Sequence, residues 1–146
     1  MARQGEEDGI KAIVFEQMGG PEVLALRDVP KPDMRSGGVL IKTHAIRVSF
    51  ADTRFRQGTY AVKPKLPDTP GLEAAGVIEA VGDGVTNLRL GTRVAAFTSK
   101  SYAEYALMRD GRLKLHVGKT FPLAQAAEAH RYLESRQSTG KLNLLP

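Results

Sequence analysis

The residues best equipped for chemistry crowd into 46–58, IRVSFADTRFRQG, where Arg47, Ser49, Asp52, Arg54 and Arg56 fall within a short span. A serine hydroxyl, a carboxylate and guanidinium groups at that spacing can orient a polar ligand, move a proton or grip an anion. Ser49 is not flanked as G-x-S-x-G, and His44 and Asp52 do not make a nucleophile triad by nearness in sequence. With Lys63 and Lys65, these arginines form the densest basic segment of the chain; it reads as a solvated face or as a grip for an anionic ligand. Glu73, beside Gly71 and Leu72 at the start of an apolar run, reads as a functional carboxylate or as the partner of a nearby arginine. His44, His116 and His130 lie far apart without carboxylate or cysteine companions at metal-ligand spacing, and read as core or surface imidazoles. Gly82-Asp-Gly84-Val-Thr-Asn87 begins like a dinucleotide fingerprint. Asn87 replaces the third glycine, however, and the chain turns back where a phosphate-binding helix should open, so the segment reads as a turn.

These residues must be positioned by one domain. A chain of 146 residues has room for one sizeable core, and 15 glycines and 8 prolines scattered between short apolar runs favour a strand-rich fold. The absence of cysteine excludes disulfides, thiolate metal sites and cysteine nucleophiles. A net charge of +5 is a modest surface excess rather than a nucleic-acid footprint. No apolar run approaches a membrane span and no apolar leader opens the chain, so the expected location is cytoplasmic, with neither membrane nor nucleic acid as partner.

In order, residues 1–9 read as a loose polar leader and 10–146 as one domain. Strands are expected at 11–15, 23–26 and 39–45, the first two joined through Gly19-Gly20-Pro21, with Pro30 in the loop that follows. Residues 46–58 read as a loop and one helical turn with Asp52 near its start, 59–70 as irregular, 71–81 as a buried strand pair or one long bent strand, and 94–97 as a further strand. Tyr105 and Leu107, then Leu113, Leu115 and Val117, alternate on either side of Asp110-Gly111, a strong hairpin signal. A helix over 122–136 places Leu123, Ala126, Ala127, His130 and Leu133 on one face with Pro122 at its first position, and a last strand covers 141–145.

The runs FEQMGGPEVLALRDVPKP, VLIKTHAIRVSFADTRFRQGTY, PGLEAAGVIEAVGDGV and SYAEYA resemble, in that order, the catalytic domain of the NADPH-dependent, zeta-crystallin-like quinone oxidoreductases, a branch of the medium-chain dehydrogenases/reductases. The ending GKTFPLAQAAEAHRYLESRQSTGKLNLL is similar to that family's C-terminal return to the same domain. The resemblance implies a mainly β, GroES-like barrel with one C-terminal helix and short helical turns. In the family a complete Rossmann cofactor domain lies between these two parts; here 10–108 meets 113–146 through a turn at 109–112, so no Rossmann domain is expected. Zinc-dependent relatives carry cysteine and histidine where Ser49 and Leu72 stand, before the glutamate matched by Glu73, so the zinc-free branch is implied. That branch has Asn at the Ser49 position, Asp at Asp52 and Tyr at the Arg54 position, near nicotinamide and quinone.

Ser49, Asp52, Arg54 and Glu73 are therefore expected as the remnant of a substrate and cofactor wall, with no active catalytic set, no metal site and no bound cofactor, although the family uses NADP. Ile46, Arg47 and Thr92 also depart from the family and are expected on a surface that once faced the missing domain. The expected function is a stand-alone scaffold, engineered or truncated, inactive alone. Two alternatives are a quinone oxidoreductase completed by a nucleotide domain from a partner, and a protein- or anion-binding module. Exposed sheet edges or the former domain interface could support self-association.

Overall fold

A computed structural model describes residues 9–108, 117–138 and 141–146. Strand β1 (Gly9–Val14) pairs antiparallel with β2 (Ala25–Pro30), in register from Gly9 opposite Pro30 to Val14 opposite Ala25. Strand β1 thus takes in Gly9, the last residue of the expected leader. The second strand lies later than expected because Pro21–Val23 forms a 3₁₀ turn, closed by the Leu24 amide donating to the Pro21 carbonyl at 3.2 Å. Pro30, expected in a loop, ends β2, a strand whose other edge is unpaired among the described residues and needs no proline N–H.

Strand β3 (Val39–Val48) is the spine of the second sheet. Along one side runs β4 (Glu73–Val81), backed by β5 (Arg93–Phe97). Its other side is shared: 39–42 pair with β6 (Tyr105–Met108) and 46–48 with β8 (Lys141–Leu145). β7 (Val117–Pro122) lies parallel to β8. The apolar run that suggested a strand pair or a bent strand is a single strand. Register shifts interrupt the β3–β4 ladder at Leu40/Ile41 and Thr43/Ala45, and Gly76 opposes Thr43. A Cβ on Gly76 would lie 1.9 Å from the Lys42 carbonyl oxygen, so only glycine permits this approach.

Beyond the second shift, Ile46 and Val48 point into the core with Leu142, Leu144 and Phe121. Ile46 is fully buried, which corrects its expected place on a former interface; Thr92 is exposed. A second core, Val39, Ile41, Ile78, Ala96 and Met108, fills the space between the strands.

After a 3₁₀ turn at Leu123–Gln125, helix α2 (Ala126–Glu134) crosses from β7 to its parallel neighbour β8. It buries Ala126, Ala129, His130 and Leu133, whereas Ala127, expected on that face, is only partly covered. Pro122 closes β7 instead of opening the helix. The expected hairpin of 105–107 with 113–117 falls almost wholly outside the described residues; among those described, β6 pairs with β3, and β7, which begins at Val117, pairs with β8. Asp110-Gly111, Leu113 and Leu115 lie outside the described residues, as do 1–8 of the expected leader. No described helix is long and apolar enough to cross a membrane.

Candidate functional site

Helix α1 (Phe50–Arg56) begins at Ser49, whose extended backbone (φ −129°, ψ 162°) is that of an N-cap. Asp52, three residues on, reaches back to it: the Ser49 amide donates to Asp52 Oδ2 at 2.8 Å and the Ser49 hydroxyl at 3.1 Å. The Tyr102 hydroxyl donates to the same oxygen at 3.1 Å, while Oδ1 is buried with no partner. Burial pushes the Asp52 carboxyl up to about 6, against the opposing pull of the Ser49 and Tyr102 hydrogen bonds and the Arg47 charge.

Behind Asp52 the network continues into α2. Tyr102 Oη lies 2.9 Å from His130 Nε2, and the two rings meet edge-on. A hydroxyl that gives its one proton to Asp52 must accept from histidine, so His130 carries its proton on Nε2 and Nδ1 is bare. Burial, with the charge of Arg56, pushes the imidazole down to about 3, keeping it neutral; burial and the Asp52 carboxylate push the Tyr102 phenol up. Arg56, fully buried, donates from Nη2 to Glu134 Oε1 at 2.5 Å, a second tie between α1 and α2.

In front of Asp52 opens a cleft of ≈ 570 Å³ lined by Arg47, Ser49, Asp52 and Glu73, with Phe50 and Phe97 among its walls. The Arg47 guanidinium donates to Glu73 Oε1, whereas Glu73 Oε2 and Arg47 Nε are buried without partners. On the next strand Asn143, in register with Arg47, is buried with neither end of its amide paired.

Of the four expected wall residues, Ser49, Asp52 and Glu73 meet in this cleft and Arg54 does not. The inward face of α1 carries Asp52, Thr53 and Arg56, which leaves Arg54 exposed on the other side. The basic segment is dispersed: Arg47 and Arg56 are spent on ion pairs, and Lys63 Nζ donates to the Gly58 carbonyl at 2.6 Å. Glu73 is thus an arginine's partner as well as a cleft residue. Gly82–Gly84 is a turn, with Gly84 at φ +84° and the Val85 amide donating to the Gly82 carbonyl, and no described helix follows it to receive a phosphate.

Ser49, Leu72 and Glu73 supply one hydroxyl, no donor and a carboxylate held by a guanidinium, which does not fit the nitrogen and sulfur sets of tetrahedral zinc. Among the described residues no three His, Cys, Asp or Glu side chains group around a common point.

Sequence reasoning missed Tyr102 and the role of His130. A usable signal was present: a histidine on the apolar face of a helix needs a buried polar partner.

The family described as the alcohol dehydrogenase GroES-like domain matches residues 35–128. The quinone oxidoreductase of Rattus norvegicus is 45% identical over 122 residues, which is 82% of this chain and 35% of the rat protein. A mycobacterial protein whose structure is complexed with NADPH is 38% identical with a TM-score of 0.65, covering 71% of this chain and 34% of that one. A mycobacterial quinone oxidoreductase structure is alike in fold, with a TM-score of 0.83 at 18% identity over 94% of this chain and 100% of that chain. The chain spans about a third of the length of the curated relatives it matches. Since the matched family covers well over half of the residues, and the strands, helices and cleft are those of a mainly β barrel, the chain belongs to the alcohol dehydrogenase GroES-like domain family.

Proposed function

We propose that this chain is the substrate-side domain of a zinc-free quinone oxidoreductase, carried without its cofactor domain, and that by itself it folds and keeps its cleft but does not turn over. The observation that carries the reading is the cleft: Arg47, Ser49, Asp52 and Glu73 wall one side of it, while Phe50 and Phe97 stand about half exposed beside it. Hydride transfer requires a nicotinamide held against the acceptor, and the protein's share of that chemistry is positioning. One wall can orient an acceptor oxygen but cannot hold the dinucleotide. In this reading the cofactor domain has been excised between the two family segments, by design or by natural truncation, in a protein of the cytoplasm.

Steady-state NADPH oxidation with quinones should stay at the uncatalysed background, and NADPH fluorescence should not respond to the protein. Saturable turnover by this chain alone would overturn the proposal. A second reading, in which another chain supplies the nucleotide domain, draws on the exposed Phe50 and Phe97, an apolar rim suited to a partner. It predicts that an added cofactor domain restores NADPH oxidation. Self-association through the same rim would show as concentration-dependent sedimentation.

A further inference from the structure

Strand β5 is an edge of the second sheet: among the described residues it pairs with β4 alone. Its register fixes where the unused backbone groups point. The Ile78 amide donates to the Thr92 carbonyl at 2.9 Å and the Thr98 amide to the Leu72 carbonyl at 2.7 Å. In an antiparallel ladder such exchanging pairs come at every second residue, so Val94 and Ala96 also turn their N–H and C=O groups toward β4. Arg93, Ala95 and Phe97 therefore turn theirs away from it, and among the described residues those groups meet no partner. Their side chains fall together as well. Val94 and Ala96 pack into the second core, which leaves Arg93, Ala95 and Phe97 on the outer face, Phe97 being 54% exposed.

We propose that this edge joins two copies of the chain about a two-fold axis at Ala95, with β5 antiparallel to β5 of the second copy and the sheet continuous across the interface. The proposal is independent of the quinone reading and involves no cofactor domain. A two-fold contact requires a strand that complements itself. With Ala95 opposite its own copy, Arg93 lies opposite Phe97 of the second copy, and Phe97 opposite the second copy's Arg93. All the outward groups are then matched, by about six hydrogen bonds, two for each opposed pair. The guanidinium stands beside the phenyl on the same face and makes a cation–π contact, repeated by symmetry. A register centred on Arg93 would oppose like charges, and one centred on Phe97 would run the ladder past the end of the strand.

The other edges are guarded where β5 is not. β2 ends on Pro30 and β7 on Pro122, and β7 carries Lys119, whereas β5 has no proline, no lysine and no acidic residue. The two-fold pair also uses up the open edge, so association closes at the dimer. An edge of five residues buries less than the area of about 1,200 Å² at which stable complexes begin, so the dimer is weak and depends on concentration.

The test is sedimentation equilibrium from about 10 µM to 1 mM, the range suited to a small interface. The parent chain should pass from monomer to dimer. Ala95→Pro removes an N–H that bonds nothing within the described monomer and is lost twice in the dimer, so the association constant should fall about tenfold or more. Should that variant fail to fold, two cysteine variants decide the question in a chain that has no cysteine of its own. Ala95→Cys sets the two thiols on opposed residues whose Cα atoms lie about 5.5 Å apart, within disulfide range. Thr92→Cys, on an exposed residue just before the strand, sets them about six residues out of step, roughly 20 Å along the ladder. With oxidised glutathione at equal concentration, Ala95→Cys should form the disulfide dimer about tenfold faster or more than Thr92→Cys. A parent chain monomeric at every concentration, dimerisation undiminished in Ala95→Pro, or cross-linking no faster at 95 than at 92 would each overturn the proposal. Undiminished dimerisation would move the contact to the rim at Phe50. None of these readouts involves NADPH or turnover.

Discussion

Replacing His130 by glutamine tests the buried network through the pH dependence of stability. The imidazole is held down at about 3, against an ordinary value of 6.5, so between those limits the unfolded chain binds a proton that the native protein refuses. Its contribution is fully present above pH 6.5 and is lost as the pH falls toward 3. At about 1.4 kcal/mol per pH unit, the whole interval amounts to about 5 kcal/mol. Asp52 acts in the opposite sense. Its carboxyl is raised from 3.8 to about 6, so the native state keeps a proton that the unfolded chain has released, and about 3 kcal/mol present below pH 3.8 is lost as the pH rises through 6.

In the parent protein these two slopes cancel between about pH 4 and 6. His130→Gln keeps an N–H donor for Tyr102 and removes the titrating ring, so Asp52 is left unopposed and the variant should gain stability on acidification over that range. Urea unfolding of both proteins at intervals from pH 7 to 4 gives the difference directly, and exposed carboxylates common to both drop out of it. The parent's advantage should shrink by about 3 kcal/mol between pH 6.5 and 4. A difference independent of pH would refute the assignment of His130 as a buried neutral base.

Further variants probe the scaffold. Glu134→Ala strands the fully buried guanidinium of Arg56 and should cost about 3 kcal/mol or more in urea unfolding, with most of it recovered when Arg56→Met is added; additive losses in the double variant would refute the pairing. Gly76→Ala should prevent folding, because its methyl group would lie 1.9 Å from the Lys42 carbonyl oxygen. Gly84→Ala, in open space at φ +84°, should cost only about 1 kcal/mol. Equal melting temperatures for these two glycine variants would refute the tight approach of β3 to β4.

Strand existence was legible wherever side chains alternate or run apolar between turn residues, as in β1, β3 and β5. Pairing was not. A spine as long as β3 takes two partners along one edge, β6 at 39–42 and β8 at 46–48, and no local pattern in either partner announces that sharing. The place of Ile46 was hidden for a related reason: a register shift at Thr43/Ala45 changes which side chains face inward, and no periodicity carried across that point can anticipate it. In the site, Ser49 and Asp52 were legible as a helix start. Arg54 was misplaced because neighbours on a helix point to different faces.

The same register explains why the cleft is polar. Phe97 lies opposite Glu73 and Arg47 opposite Asn143 in the ladders, so a single row crosses β5, β4, β3 and β8 as phenyl, carboxylate, guanidinium and amide. Within that row Glu73 Oε2, Arg47 Nε and both ends of the Asn143 amide have spare hydrogen-bonding capacity. Buried groups of this kind are normally matched by protein or ordered water, so the row is held in a state that a polar ligand or water can complete. Stability alone would favour an apolar row at this depth, since a buried ion pair rarely outcompetes hydrophobic packing. The energetic cost is offset by the two cores, and what it maintains is a cleft floor with fixed donors and acceptors.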